Sequence, residues 1–218
     1  MAHESKIQIL TPFFTSILSV SSTPIWNFSL HSLYPNPLPQ LLHLDSPFSG
    51  QEIYDAFADM NQMASPGPDG FGPGFYHKFW PIIKHKITDL CSSFYSLSTD
   101  ISCLNRAFIA LIPKGAASPS PDAFRPISLQ NCPPKALAKL LVNRLKPVIP
   151  ALVHPDQTGF LSCQTISQNF LYVADVLHVC ARTKAPTLVI KLDFSKAFDS
   201  VSWPALLSIL SVWGFSKK

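Results

Sequence analysis

Apolar residues recur at helical spacing over much of the chain. Ile53, Phe57 and Met60 fall at i, i+4 and i+7 behind Ser49-Gly50-Gln51-Glu52, which has capping-box spacing, and this predicts a helix near 50–63. Phe75, Phe79, Ile82, Ile83, Ile87, Leu90, Phe94 and Leu97 predict a second helix, with Pro81 marking a kink or a restart. The Ser65–Gly74 stretch between them holds four of the eight glycines and reads as a rigid, turn-rich loop. A dinucleotide fingerprint would need an upstream strand and a Pro-free turn into a helix, and neither is present. Arg106–Ile112 reads as a strand closed by Pro113-Lys114, and Phe124–Leu129 as a second short extended piece.

Pro134 suits the first turn of a helix running through Leu137, Leu140, Leu141 and Leu145 to Pro147. A turn at His154–Gln157 follows, then a helix over about 165–181 with Ile166, Phe170, Val173, Ala174 and Leu177 on one face. Thr187–Phe194 is β-branched and mostly apolar, the strongest strand signal in the chain. Ser202 caps a last helix that carries Pro204 in its first turn and Gly214 past its end.

Charge changes this picture in two ways. Only 14% of the 218 residues are charged, against roughly 25% in ordinary soluble domains. At 47% hydrophobic, the chain is globular and not a disordered polyelectrolyte. The net charge of +4 also conceals an asymmetry. Residues 1–100 carry 4 Lys/Arg against 8 Asp/Glu, whereas residues 101–218 carry 13 against 5. A basic second half suits an anionic partner such as a polyphosphate backbone, or is simply a solvated basic surface. The five cysteines are never closer than 12 residues apart and have no zinc spacing, so no structural zinc is expected and a reducing intracellular compartment is. Ile7–Leu44 contains no Asp, Glu, Lys or Arg, but Ser, Thr, Pro and Asn interrupt it too often for a spanning helix or a signal peptide. It reads as a Pro-rich connector, weakly structured over residues 1–44, with no membrane partner.

Asp193 closes the 187–194 strand, and Asp199 lies six residues on. A carboxylate at a strand end suits a hard cation, and it equally suits a turn or a helix cap. The ordered blocks around it decide between these readings. Ala64–Phe71 (ASPGPDGF), Phe75–Trp80, Leu111–Lys114 (LIPK), Phe124–Leu129 (FRPISL), Asn143–Pro147 (NRLKP), Asp156–Phe160 (DQTGF) and Lys191–Asp199 (KLDFSKAFD) occur in one series. Over about residues 45–215 this series resembles the reverse transcriptases of LINE-type, non-LTR retrotransposons of the style common in plant genomes. The Pro-Gly-Pro-Asp-Gly block argues against the runner-up, a group II intron maturase-type polymerase.

The resemblance implies an α+β fold: fingers over 45–184 and the start of a palm over 185–218 of a right-hand polymerase. It implies that Asp193 and the Phe194 carbonyl hold Mg²⁺, and that Phe198 lies under the incoming sugar. It implies that Lys114 and Arg125 neutralise the nucleotide triphosphate, tasks suited to a point charge and a planar fork. Gln157, Gly159 and Phe160 would line the template track, with Lys139, Arg144, Lys146 and Lys196 as further phosphate contacts. The implied partners are an RNA template, a DNA primer and deoxynucleotides, in the nucleus or the cytoplasm.

Two departures stand out. Leu161-Ser162-Cys163-Gln164 replaces a Gly followed by a basic residue, and Gln168 stands where the family has Asp. No two carboxylates are adjacent anywhere in the chain, although two-metal catalysis calls for such a pair. The sequence therefore carries two readings. One is a piece of an RNA-directed DNA polymerase that is inactive in this chain, and the other is a non-catalytic remnant that binds nucleic acid or a protein.

Overall fold

Helix α1 (His3–Leu18) and the single turn α2 (Leu30–Leu33) precede the main body. They are followed by α3 (Gly50–Ala58), α4 (Pro73–Tyr95), the strands β1 (Ala107–Pro113) and β2 (Phe124–Gln130), and α5 (Cys132–Leu145). The chain ends through α6 (Ile149–Leu152), α7 (Ile166–Thr183) and α8 (Trp203–Trp213). The structure is a computed structural model and describes residues 3–18, 28–33, 39–115, 120–161, 164–194, 197–198 and 201–216.

The predicted capping box forms. Ser49 Oγ accepts from Glu52 N at 3.2 Å while Glu52 Oε2 accepts from Ser49 N at 2.8 Å, satisfying two end donors of α3. The helix stops at Ala58, short of the predicted residue 63. The next helix, α4, runs unbroken through Pro81, where a kink or restart was predicted. That proline removes one backbone donor, and the turns on either side keep theirs. Helix α5 starts at Cys132, two residues earlier than the sequence suggests, with Pro133 and Pro134 both in its first turn. Ser202 and Gly214 cap α8 as predicted, Gly214 at φ +95°.

The core lies where α3, α4 and α5 meet. Ile53, Ala56 and Phe57 pack against Tyr76, Ile87 and Cys91, and against Cys132, Ala136, Leu137 and Leu140. Phe57 stacks on Tyr76 at 5.2 Å and touches Trp80 at 5.4 Å, so aromatic area dominates this junction. Burial pushes the Cys91 thiol up to about 11 and raises Tyr76 and Cys132 as well.

Two expectations are corrected. Residues 3–18, within the predicted weakly structured connector, form α1; its stretch 34–38 lies outside the described residues. The strand predicted over 187–194 forms no ladder. A strand persists when a neighbour satisfies its N–H and C=O groups, and no described segment pairs with this one. Among the described residues the only sheet is the two-stranded ribbon β1–β2, so the extended part of the predicted palm is not built here. Helix α7 forms as predicted, but its apolar face lies open: Ile166, Phe170, Val173 and Leu177 are all exposed. No described helix is long and apolar enough to cross a membrane.

Candidate nucleotide and nucleic-acid interface

The ribbon gathers the first two candidates. Its antiparallel register sets Ile112 opposite Arg125 and Pro113 opposite Phe124, and Lys114 N donates to Ala123 O at 2.8 Å. Side chains alternate along a strand, so Lys114 and Arg125 occupy the same face as diagonal neighbours. Both are exposed, and neither makes an ion pair among the described residues. Two exposed cations at one end of a ribbon are chemically suited to contacting a polyphosphate.

The loop before α7 carries the next group. Gln157 N donates to His154 O at 2.9 Å, and Gln157 Nε2 donates to Gly159 O at 3.3 Å, so Gln157 braces its own turn. Phe160 sits at φ +64°, an uncommon conformation for a residue with a side chain, and the residue is 96% exposed. The Phe198 ring meets it edge-on at 5.9 Å. A residue implied for the template and one implied for the nucleotide are thus brought together. Such exposed rings are surfaces on which bases can stack.

Phe160 also lines a groove with Lys139, Asn143, Lys146, Ile149 and Gln164. The Gln164 Oε1 is buried there without a hydrogen-bond partner. Gln164 was not among the residues that the sequence singled out; its only signal was that it interrupts the expected Gly-basic pair. Lys146 is exposed, while Lys139 reaches Asp59 at 3.4 Å.

Arg144 must be withdrawn from the phosphate-contact set. Its side chain is only 9% exposed, and all five of its donors are engaged. Nε donates to Glu52 Oε1 at 2.7 Å, and one terminal nitrogen donates to Glu52 Oε2 at 3.0 Å and to Pro47 O at 2.7 Å. The other terminal nitrogen donates to Leu44 O at 3.1 Å and to Ser46 O. The Phe48 ring covers the guanidinium at 4.5 Å. A guanidinium with every donor engaged has none left for a phosphate.

Asp193 and Phe194 are exposed, and Asp193 makes no hydrogen bond or ion pair with another described residue. Among the described residues no three His, Cys, Asp or Glu side chains come together as a metal site. Lys196 and Asp199 lie outside the described residues. Mg²⁺ demands near-octahedral oxygen coordination, and one carboxylate with one peptide carbonyl does not supply a two-metal centre. The donor set described here does not fit the metal chemistry that the resemblance implied.

Residues 112–218 match the family model for reverse transcriptase (RNA-dependent DNA polymerase). This stretch holds Lys114 and Arg125 on the ribbon, the Phe160 loop and Asp193. Residues 112–218, just under half of the chain, are thus similar to reverse transcriptases. The chain is 32% identical over 175 residues, 79% of its length, to the transposon TX1 uncharacterized 149 kDa protein of Xenopus laevis. It is 31% identical over 154 residues, 71% of its length, to the Pol polyprotein of the type-2 retrotransposable element R2DM of Drosophila melanogaster. A third relative is the Pol polyprotein of the R2 element of Nasonia vitripennis, 27% identical over 175 residues. All three relatives are proteins of transposons or retrotransposable elements. The chain spans 13% of the first relative, 14% of the second and 16% of the third.

Proposed function

We propose that the chain is a fragment of a LINE-type RNA-directed DNA polymerase whose surviving role in isolation is to hold nucleotide and nucleic acid rather than to join them. The observation that carries this reading is the β1–β2 register, which brings Lys114 and Arg125 together as diagonal neighbours on an exposed face, free of ion pairs with described carboxylates. A triphosphate would lie across these two cations, with a single-stranded template passing Phe160. Two-metal nucleotidyl transfer requires carboxylates beyond Asp193, so joining is assigned to a longer polymerase and not to this chain.

Primer extension on an RNA template, with Mg²⁺ or Mn²⁺, tests the catalytic half of the reading. The expected outcome is no incorporation above a protein-free blank. Incorporation that Asp193→Ala abolishes would return the chain to the active polymerases.

The remnant reading, binding without catalysis, is favoured by the 187–194 segment, which among the described residues has no strand partner, so no described ladder fixes the backbone of Asp193. Retained nucleotide binding through Lys114 and Arg125 separates a functional fragment from an inert one.

A further inference from the structure

The two strands of the ribbon β1–β2 pack chiefly on each other, and the turn at Pro121–Ala123 packs against α1. Its pose relative to the core is therefore set where it is attached. One attachment is the pair Gln130 Nε2 to Asn105 Oδ1 at 2.9 Å, which closes the base of the ribbon. The other is Asn131, the single residue between β2 and α5.

Asn131 has the backbone geometry of a helix cap, φ −60° and ψ 157°, yet its side chain makes no cap hydrogen bond. The reason lies in the next residues. A capping side chain accepts from the second or third helical N–H, and here those positions are Pro133 and Pro134, which have none. The amide oxygen is free for another donor and accepts from Asp69 N at 3.1 Å, in the middle of the Ser65–Gly74 loop. Asn131 is only 8% exposed. The same loop is pressed against the junction: a Cβ on Gly67 would collide with the backbone nitrogen and side-chain oxygen of Asn131. Cys132 Sγ donates to Phe71 O at 3.3 Å, and Lys135 Nζ donates to Ser65 O at 3.4 Å, extending the seam along the first turn of α5.

We propose that Asn131 is a positioning residue: by clasping the Pro-Gly-Pro-Asp-Gly loop it fixes the β2–α5 junction, and with it the pose of the Lys114/Arg125 ribbon. Its role rests on the reading of that ribbon as a triphosphate grip. Gly67 is its counterpart, the one residue type that lets the loop come close enough for the Asp69–Asn131 bond.

The test uses the full chain, with inorganic tripolyphosphate as the probe and backbone hydrogen exchange of residues 107–113 and 124–130 as a second readout. Asn131→Ala is expected to weaken tripolyphosphate binding by about threefold to tenfold, the scale of one neutral hydrogen bond. Exchange should rise in both strands while the α3–α4–α5 core exchanges as in the wild type. Asn131→Asp keeps the acceptor and should restore both readouts. Gly67→Ala, which leaves Asn131 in place, should reproduce the Asn131→Ala result. The proposal is overturned if ribbon exchange in Asn131→Ala equals wild type, or if exchange rises equally in the core, which would make Asn131 an ordinary stability residue. Failure of the wild type to bind tripolyphosphate, or binding indifferent to Lys114→Gln and Arg125→Gln, overturns the triphosphate reading instead. The exchange comparison still decides for Asn131 in that case.

Discussion

Arg144 shows what a residue type leaves open. A basic residue in a basic half of the chain suggests a phosphate contact, but the deciding facts are its neighbours in space. Glu52 lies 92 positions away in sequence and is already engaged in the capping box of α3. The capping box was legible because its partners are three residues apart; the ion pair was not, because nothing local encodes it. Arg144→Ala should destabilise the chain by about 1–3 kcal/mol, the scale of breaking a half-buried pair from one side, measured by urea denaturation. Loss below about 1 kcal/mol would reduce Arg144–Glu52 to an ordinary surface pair. The pair also sets a pH dependence. Hydrogen bonding to Arg144 holds Glu52 down at about 2, against an ordinary 4.5. A carboxylate lowered in the folded state stabilises above its unfolded value and loses that stabilisation as protons titrate it. The stability gap between wild type and Glu52→Gln should therefore be widest near neutrality and close between about pH 5 and pH 2. A gap independent of pH would remove the charge from the account.

Elements read well where their signals are local. The prolines of α5, the serine and glycine caps of α8 and the apolar periods of α4 and α7 all announce their helices. Gln168 stands where the family has Asp, yet its Oε1 accepts from Thr165 N at 3.2 Å and so closes the start of α7. The 187–194 segment failed for the opposite reason. Its β-branched run is a true preference, but a strand is a property of a pair, and sequence reports only one member. Leu188 is 83% exposed and Leu192 74%, with Ile190 and Phe194 similarly open. Apolar segments of this kind with unpaired backbone associate edge to edge. The chain should run as oligomers in size-exclusion chromatography at micromolar concentration, and Ile190→Lys with Leu192→Lys should shift it toward monomer. A wild-type chain that elutes as a sharp monomer would show that these side chains are not sticky enough to matter.

At the scale of the whole molecule, the charge asymmetry becomes a binding argument only after the structure has sorted the cations. Residues 101–218 carry 13 Lys/Arg against 5 Asp/Glu, but Arg144 is spent inside the fold and Lys139 is partly neutralised by Asp59. Of the candidate contacts, Lys114, Arg125 and Lys146 remain exposed, as do Arg106, Arg182, Lys184 and Lys191 elsewhere in this half. Contacts from such groups release counterions, so affinity for single-stranded RNA should fall by roughly tenfold to a thousandfold between 50 and 200 mM salt. Lys114→Gln, Arg125→Gln and Lys146→Gln together should flatten that slope without altering any base preference, because phosphates carry no sequence information. Arg144→Gln should behave differently: it should lower stability and leave the slope of the folded fraction unchanged. Titrating a fluorescent oligonucleotide at several salt concentrations separates the two groups. A slope that responds to Arg144 and ignores Lys114, Arg125 and Lys146 would show that the phosphate path runs through Arg144, and the division between exposed and internal charge would have to be reversed.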